Sequence, residues 1–274
     1  MCKDKKGRIG RLLLGLLVGL MGIGTVPSLD AQILNIEQHR LRSDSSRFLF
    51  KGSLGMQLFN RSAAADDPVN LFGLNASVNA QYEVGRHAFI AIGQMNYLEI
   101  NDNPWLNFGF AHLRGHLYAE SATGLEIFGQ YSYDNFRGLD PRMLLGANIR
   151  QRLTSQESVE LTLGGGPMME WERWQHPNTD AIREVSFVKL NTFLVIRKSL
   201  SEWVDLNAIT YYQVGYDDGI SALRHRWSGT VNINTRLSKR WSLNNAFQYS
   251  YEDKPIVPIT RFIFDWRVGL SIDL

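Results

Sequence analysis

Residues 70–84 read NLFGLNASVNAQYEV. Counted by twos, Phe72, Leu74, Ala76, Val78, Ala80 and Tyr82 fall on one side, and Asn75, Ser77, Asn79, Gln81 and Glu83 on the other. A period of two belongs to an extended strand with unlike faces, because successive side chains leave the pleat in opposite directions. At 15 residues the stretch is long for a strand of a globular sandwich, which usually runs to about five or six. A tilted strand crossing a bilayer holds about nine to eleven residues in hydrocarbon and projects beyond it at both ends.

The same pattern recurs from Ser46 onward in twelve segments, near 46–59, 70–84, 86–99, 105–120, 124–136, 141–154, 157–173, 184–198, 203–216, 222–237, 240–252 and 260–274. In the tenth, Leu223, Trp227, Val231, Ile233 and Leu237 oppose Arg224, Arg226, Ser228, Thr230, Asn232 and Asn234. The fourth is mixed, with Leu106, Phe108 and Phe110 on one parity and Leu113 and Leu117 on the other, which predicts a bulge. In the twelfth, Phe262, Phe264, Trp266, Val268, Leu270, Ile272 and Leu274 share one side, with Ile263 the apolar exception on the other. This last stretch resembles the C-terminal signal by which barrel proteins are handed to the outer-membrane assembly machinery, although Leu274 stands where an aromatic residue is usual.

Links after even-numbered segments are tight (EVGR, ESATG, SLSEW, LSKRW), while those after odd-numbered segments are longer and carry Pro, Asp and Asn (NRSAAADDPVN, INDNPW, RWQHPNTDAIRE, EDKPIVPI). Short turns at one end and long loops at the other predict an all-β fold: a transmembrane antiparallel up-and-down β-barrel of about twelve strands, with periplasmic turns and extracellular loops. An open edge is untenable in hydrocarbon, so the last strand is expected to pair with the first. Outward aromatics fit the same frame. Tyr131, Tyr133, Trp171, Tyr212, Tyr216, Tyr249 and Tyr251 fall near the long-loop ends, and Tyr82 and Trp241 near the short turns, as interfacial girdles would.

The first residues explain how such a chain reaches a membrane. Lys3, Lys5, Lys6, Arg8 and Arg11 precede an uncharged apolar run from Leu12 to about Val26, which predicts a secretory signal peptide over 1–31 with cleavage after Ala31. A periplasmic segment over 32–45 and the barrel over 46–274 then follow. The single cysteine, Cys2, lies before the apolar run, so the mature chain is expected to have no disulfide, thiolate metal site or cysteine nucleophile. A net charge of +2 gives no electrostatic case for nucleic acid as a partner.

On the parity opposite the apolar face, the lumen is expected to receive Lys51, Arg114, Arg150, Lys189, Arg224, Arg226 and Arg267, together with Glu83, Glu126, Asp134, Glu160, Glu170, Asp205 and Asp265. Both signs occur in similar numbers, which predicts ion pairs filling a narrow barrel, whereas a charge-selective channel carries a ring of one sign. The local excess of Arg224, Arg226 and Arg267 leaves an anion pathway open. His112, Arg114 and His116 share one face of the fourth segment, but two imidazoles four residues apart along a strand start about 13–14 Å apart, too far to share a metal ion. Known outer-membrane phospholipases, which also have twelve strands, carry a His and a Ser two residues apart on an outward face with an Asn nearby; here no such resemblance is found, because His112 and His116 each meet Arg114 at that spacing and His225 meets Trp227. No catalytic, metal or cofactor site is therefore expected, and a lipid-modifying enzyme is the alternative reading.

The stretches GRHAFIAIGQMNYLEI, NFGFAHLRGHL, LLGANIRQRL and LTLGGGPMMEWERW together resemble the bacterial domain-of-unknown-function family 481, which includes proteins named salt-induced outer-membrane proteins. The resemblance implies an outer-membrane barrel and supplies no functional residues. The expected protein is thus a monomeric, porin-like barrel of the bacterial outer membrane, in contact with its lipids, serving as a structural envelope protein or a narrow passage for small solutes.

Overall fold

The computed structural model describes residues 47–62, 68–156, 159–179 and 181–272. The expected signal peptide, the 32–45 segment and Leu274 lie outside the described residues. Twelve strands form: β1 (Phe48–Ser62), β2 (Pro68–Val84), β3 (His87–Ile100), β4 (Asn103–Leu117), β5 (Thr123–Asp134), β6 (Leu139–Gln156), β7 (Val159–Gln175), β8 (Ile182–Ser201), β9 (Val204–Asp217), β10 (Ala222–Arg236), β11 (Trp241–Glu252) and β12 (Phe262–Ile272). Each pairs antiparallel with its sequence neighbour, so the sheet runs in the order β1 to β12. A single 3-10 turn, Asn135–Arg137, links β5 to β6.

The alternating pattern becomes the two sides of a barrel wall. Leu54, Leu113, Leu145, Ile149, Val188 and Leu270 are each more than half exposed on the outside, whereas Glu126, Arg142, Glu170 and Lys189 are almost completely buried inside. That inverts the usual distribution of a water-soluble domain, where large apolar side chains fill the core. Register aligns the outer aromatics into rows: Tyr212, Trp227, Tyr251 and Phe262 are successive partners across β9 to β12 near the long-loop end. Phe48, Tyr82 and Phe89 do the same across β1 to β3 at the other end.

Two details depart from the sequence reading, and a third bears it out. The second odd-to-even link, INDNPW, contracts to a tight turn of Asn101 and Asp102, whose φ values of 49° and 60° belong to a two-residue hairpin, because β3 and β4 extend into the expected loop. Among the described links, that at 253–261 is much the longest. The mixed pattern of β4 resolves without a change of face. The expected bulge is there: the register shifts opposite Leu98 and Glu99, leaving Trp105 as the extra residue, and from there Phe108, Phe110, His112, Arg114 and His116 are all buried on the inside. Finally, no pairing between β1 and β12 occurs among the described residues, so the expected closing seam is the one join they do not make. Phe50 and Leu54 on one face of β1 and Lys51, Ser53 and Gln57 on the other are all exposed.

Candidate functional site: a divided interior

Inward side chains of β4 to β10 pack into stacked tiers. Toward the long-loop end, Glu170 accepts from Arg142 Nε at 2.7 Å and from Arg226 Nη1 at 2.7 Å, and it pairs with Lys189. Glu172 pairs with Arg142 Nε at 3.1 Å and Arg226 Nη2 at 2.9 Å, and Glu252 takes a further bond from Arg226 Nη2 at 3.1 Å. Three cations thus meet three carboxylates. Toward the short-turn end, Glu126 lies 3.6 Å from Arg114, 3.5 Å from His116 and 3.9 Å from Arg150, while Glu160 pairs with Arg150 and Arg197.

Between the two charged tiers sit amides and apolar groups. Gln213 donates to Asn191 at 3.0 Å, Asn191 donates to Asn148 at 3.3 Å, and His112 bonds Gln130 at 3.1 Å while stacking on Phe128. Phe128, Leu144, Met168, Phe193 and Tyr211 form one buried cluster around them. The glycines of LTLGGGPMM serve this packing. A Cβ on Gly164 would fall on the Phe193 ring, and on the neighbouring strand β6 one on Gly146 would meet Phe128 Cζ at 2.5 Å, so at both positions an aromatic ring leaves no room for a side chain.

The long link 253–261 caps this filled half. Ile256 and Val257 are buried against Leu139, Trp174 and Phe187, so β11–β12 chain reaches over the mouth to β6, β7 and β8. Polar ties hold it there: Arg224 bonds the Lys254 carbonyl, Lys254 Nζ donates to the Leu223 carbonyl at 2.9 Å, and the His225 amide donates to Asp253 at 2.8 Å.

The inner faces of β1, β2, β11 and β12 differ. Lys51, Ser53, Gln57, Asn75, Ser77, Asn244 and Arg267 remain exposed there, forming a strip of mostly neutral amides and hydroxyls. Its one inner-face carboxylate on β12, Asp265, takes both Arg267 Nε and Nη2 at 2.9 Å. At the long-loop end the strip opens beneath a cavity of about 630 Å³ lined by Phe136, Arg137, His176, Ile259, Ile263 and Asp265, among others. A smaller recess joins it, sharing Arg137, Ser250 and Ile263 and adding Arg261 and Glu252.

Eight of the fourteen expected lumen residues show how the interior separates. Arg114, Arg150, Lys189, Arg224 and Arg226 are buried in ion pairs, and Lys51, Asp265 and Arg267 lie on the exposed strip. The arginine excess does not make an anion pathway. Arg224 is held by Asp217 at 2.6 Å, Arg226 by three carboxylates and Arg267 by Asp265, so each charge is offset locally. Sequence reasoning passed over Arg142, Glu172 and Glu252, whose parity matches that of Arg150, Glu170 and Ser250 on the same strands and was signal enough to find them. Arg137 lies in a turn, where no periodicity marks it. Among the described residues, no three His, Cys, Asp or Glu side chains converge as a metal site would require.

A family model described as "Protein of unknown function, DUF481" matches residues 70–256. No curated protein matches the chain. Among solved structures, the chain is similar to the translocator domain of autotransporter NalP from Neisseria meningitidis, at 13% identity and a TM-score of 0.46, with 98% of this chain and 95% of that one covered. It is similar to the NanC porin at 9% identity and a TM-score of 0.42, covering 83% of this chain and 99% of the porin. Similarity to the β domain of the Bordetella autotransporter BrkA is 12% in identity with a TM-score of 0.31, over 83% of this chain and 99% of that one.

Proposed function

The chain belongs to the DUF481 family, whose description assigns no activity, and we propose its function from the interior itself: a bacterial outer-membrane barrel that passes small polar solutes along one side of its lumen. The observation that carries the reading is the division of the interior. Charge tiers and the capping loop fill the side of β4 to β10, while on the inner side of β1, β2, β11 and β12 Ser53, Gln57, Asn75, Ser77, Asn244 and Arg267 stay exposed. Neutral hydrogen-bonding groups replace part of a solute's hydration without selecting its charge.

Location rests on physical chemistry. The apolar outer wall and its aromatic rows suit hydrocarbon bounded by two interfaces, and among the described residues no helix is long and apolar enough to cross a membrane. In the same reading Phe262, Phe264, Trp266, Val268, Leu270 and Ile272 face lipid and serve recognition by the assembly machinery. The barrel is a monomer, cleaved from its signal peptide, and non-catalytic. His112 and His116, the residues that most invite an acid–base role, are spent on Gln130 and Glu126 inside the packed half.

Planar-bilayer recording on refolded protein tests the passage. Small, steady conductance steps are expected, lowered further by Ser77→Trp. A consistently silent protein would leave the structural envelope role.

A further inference from the structure

The mouth cavity lies at the top of the exposed strip, and its charges are unevenly matched. Around it, each carboxylate is engaged: Asp265 by Arg267 through two bonds of 2.9 Å, Glu252 by Arg226 at 3.1 Å, and Glu172 by Arg142 and Arg226. Arg137, on the cavity wall, is not, nor is Arg261, an exposed residue of the recess that joins it. Among the described residues, neither guanidinium has a hydrogen bond or ion pair; that of Arg137 lies 5.8 Å over the ring of Trp174, whose own Nε1 is given to Glu172 at 2.9 Å. Asp134 lies outside the cavity wall, and its Oδ1 accepts from the backbone N–H of Arg137 at 3.3 Å.

Burial draws the Arg137 guanidinium below its ordinary value and the nearby Arg226 adds to this, while the charges of Asp134, Glu252 and Glu172 oppose it without a direct bond. A half-buried cation over an aromatic ring has given up hydration without gaining a bidentate partner, and an incoming anion would supply one. The remaining walls are mixed: Phe136, 65% exposed, with Ile259 and Ile263 supplies apolar surface, and His176, Gln175, Ser250 and Thr260 supply uncharged polar groups. A volume of about 630 Å³ lies within the range of small-molecule sites, roughly 300–1,000 Å³.

We infer that this cavity, together with the recess that joins it, binds a small organic anion, a carboxylate with an apolar body, its charge held between Arg137 on the cavity wall and Arg261 on the recess and its body by Phe136, Ile259 and Ile263. The match is of class: two unpaired guanidiniums select the anion, and the apolar surface selects a body that inorganic ions lack. Ile263, the apolar exception on the inner side of β12, acquires a use here. The inference stands apart from the passage reading, because binding is measured without flux.

Calorimetric titration of the refolded full chain in detergent micelles, against empty micelles, tests it with sodium benzoate, benzamide, benzylamine and sodium sulfate. Benzoate should bind saturably, with benzamide, benzylamine and sulfate each at least about tenfold weaker. Arg137→Gln and Arg261→Gln should each weaken benzoate about tenfold, Arg137→Lys should keep part of the affinity, and Lys239→Gln at the far end should change nothing. Equal binding of benzoate and benzamide, equal binding of benzoate and sulfate, no benzoate heat, or unchanged binding by the double glutamine variant would each overturn it. The ligand comparisons need only the unaltered protein, so the test survives a variant that fails to refold.

Discussion

Arg226 on β10 donates to Glu170 on β7 at 2.7 Å, across the two intervening strands β8 and β9. Two strands so far apart in sheet order can touch through side chains only if the sheet curls strongly toward its polar face. Glu170 also holds Arg142 from β6 and Lys189 from β8, so one carboxylate ties four strands and helps set the curvature.

Glu170→Gln should therefore destabilise the barrel by about 3–5 kcal/mol, since it strands buried cations instead of removing a pair. Arg142 and Arg226 keep Glu172, but Lys189 loses its carboxylate partner in this tier. Adding Lys189→Met should recover part of the loss. Urea unfolding followed by tryptophan fluorescence reads both, and a single variant as stable as the parent would refute the central role of Glu170.

The strands were plainly legible in the sequence because a lipid-facing wall and a polar interior impose a strict period of two. All twelve segments lie within three residues of the observed boundaries. Faces were legible for the same reason, down to Lys189 inside and Leu190 outside. Which inner charges meet across the lumen was not: Arg226 and Glu170 are 56 residues apart, and their contact depends on curvature, which periodicity along one strand does not encode. Nor was the mouth. Arg137, Ile256 and Val257 sit in links, where the pattern lapses and only the fold brings them to Trp174.

Leu270→Arg places a cation on the outer wall of β12, where Leu270 pairs with Leu243 and is 58% exposed. The expected cost is about 2–4 kcal/mol near the bilayer midplane and less toward an interface. Reduced recovery in outer-membrane fractions and a lower urea midpoint in lipid vesicles check it. Ser271→Arg, on the inner side, should be tolerated far better.

Asp265→Asn leaves Arg267 without its two bonds on the exposed strip. If solutes pass there, the parent should discriminate little between small cations and anions, and the variant should shift toward anions. Reversal potentials across a potassium chloride gradient measure the change. An unchanged potential in a conducting variant would move the pathway away from β12.

The last prediction concerns the seam. β1 and β12 do not pair among the described residues, yet their outer faces carry Phe50, Leu54, Met56, Trp266, Val268 and Leu270, all exposed and apolar. In hydrocarbon the free N–H and C=O groups of two such edges would each cost several kcal/mol, far more than the contacts of any single side chain return. In a bilayer the edges should therefore join as an antiparallel pair, completing the wall. The chain's one cysteine, Cys2, lies in the expected signal peptide, which makes cysteine scanning clean. With Gly55→Cys on β1 combined in turn with Asp265→Cys, Arg267→Cys or Gly269→Cys on β12, one combination should form a disulfide in oxidised membranes, because only near-opposed residues bring Cα atoms within about 4.4–6.8 Å. A single cross-linking register fixes the closing pair. Equal cross-linking of all three would describe mobile edges, and none at all would mean that the two strands stay apart in the membrane.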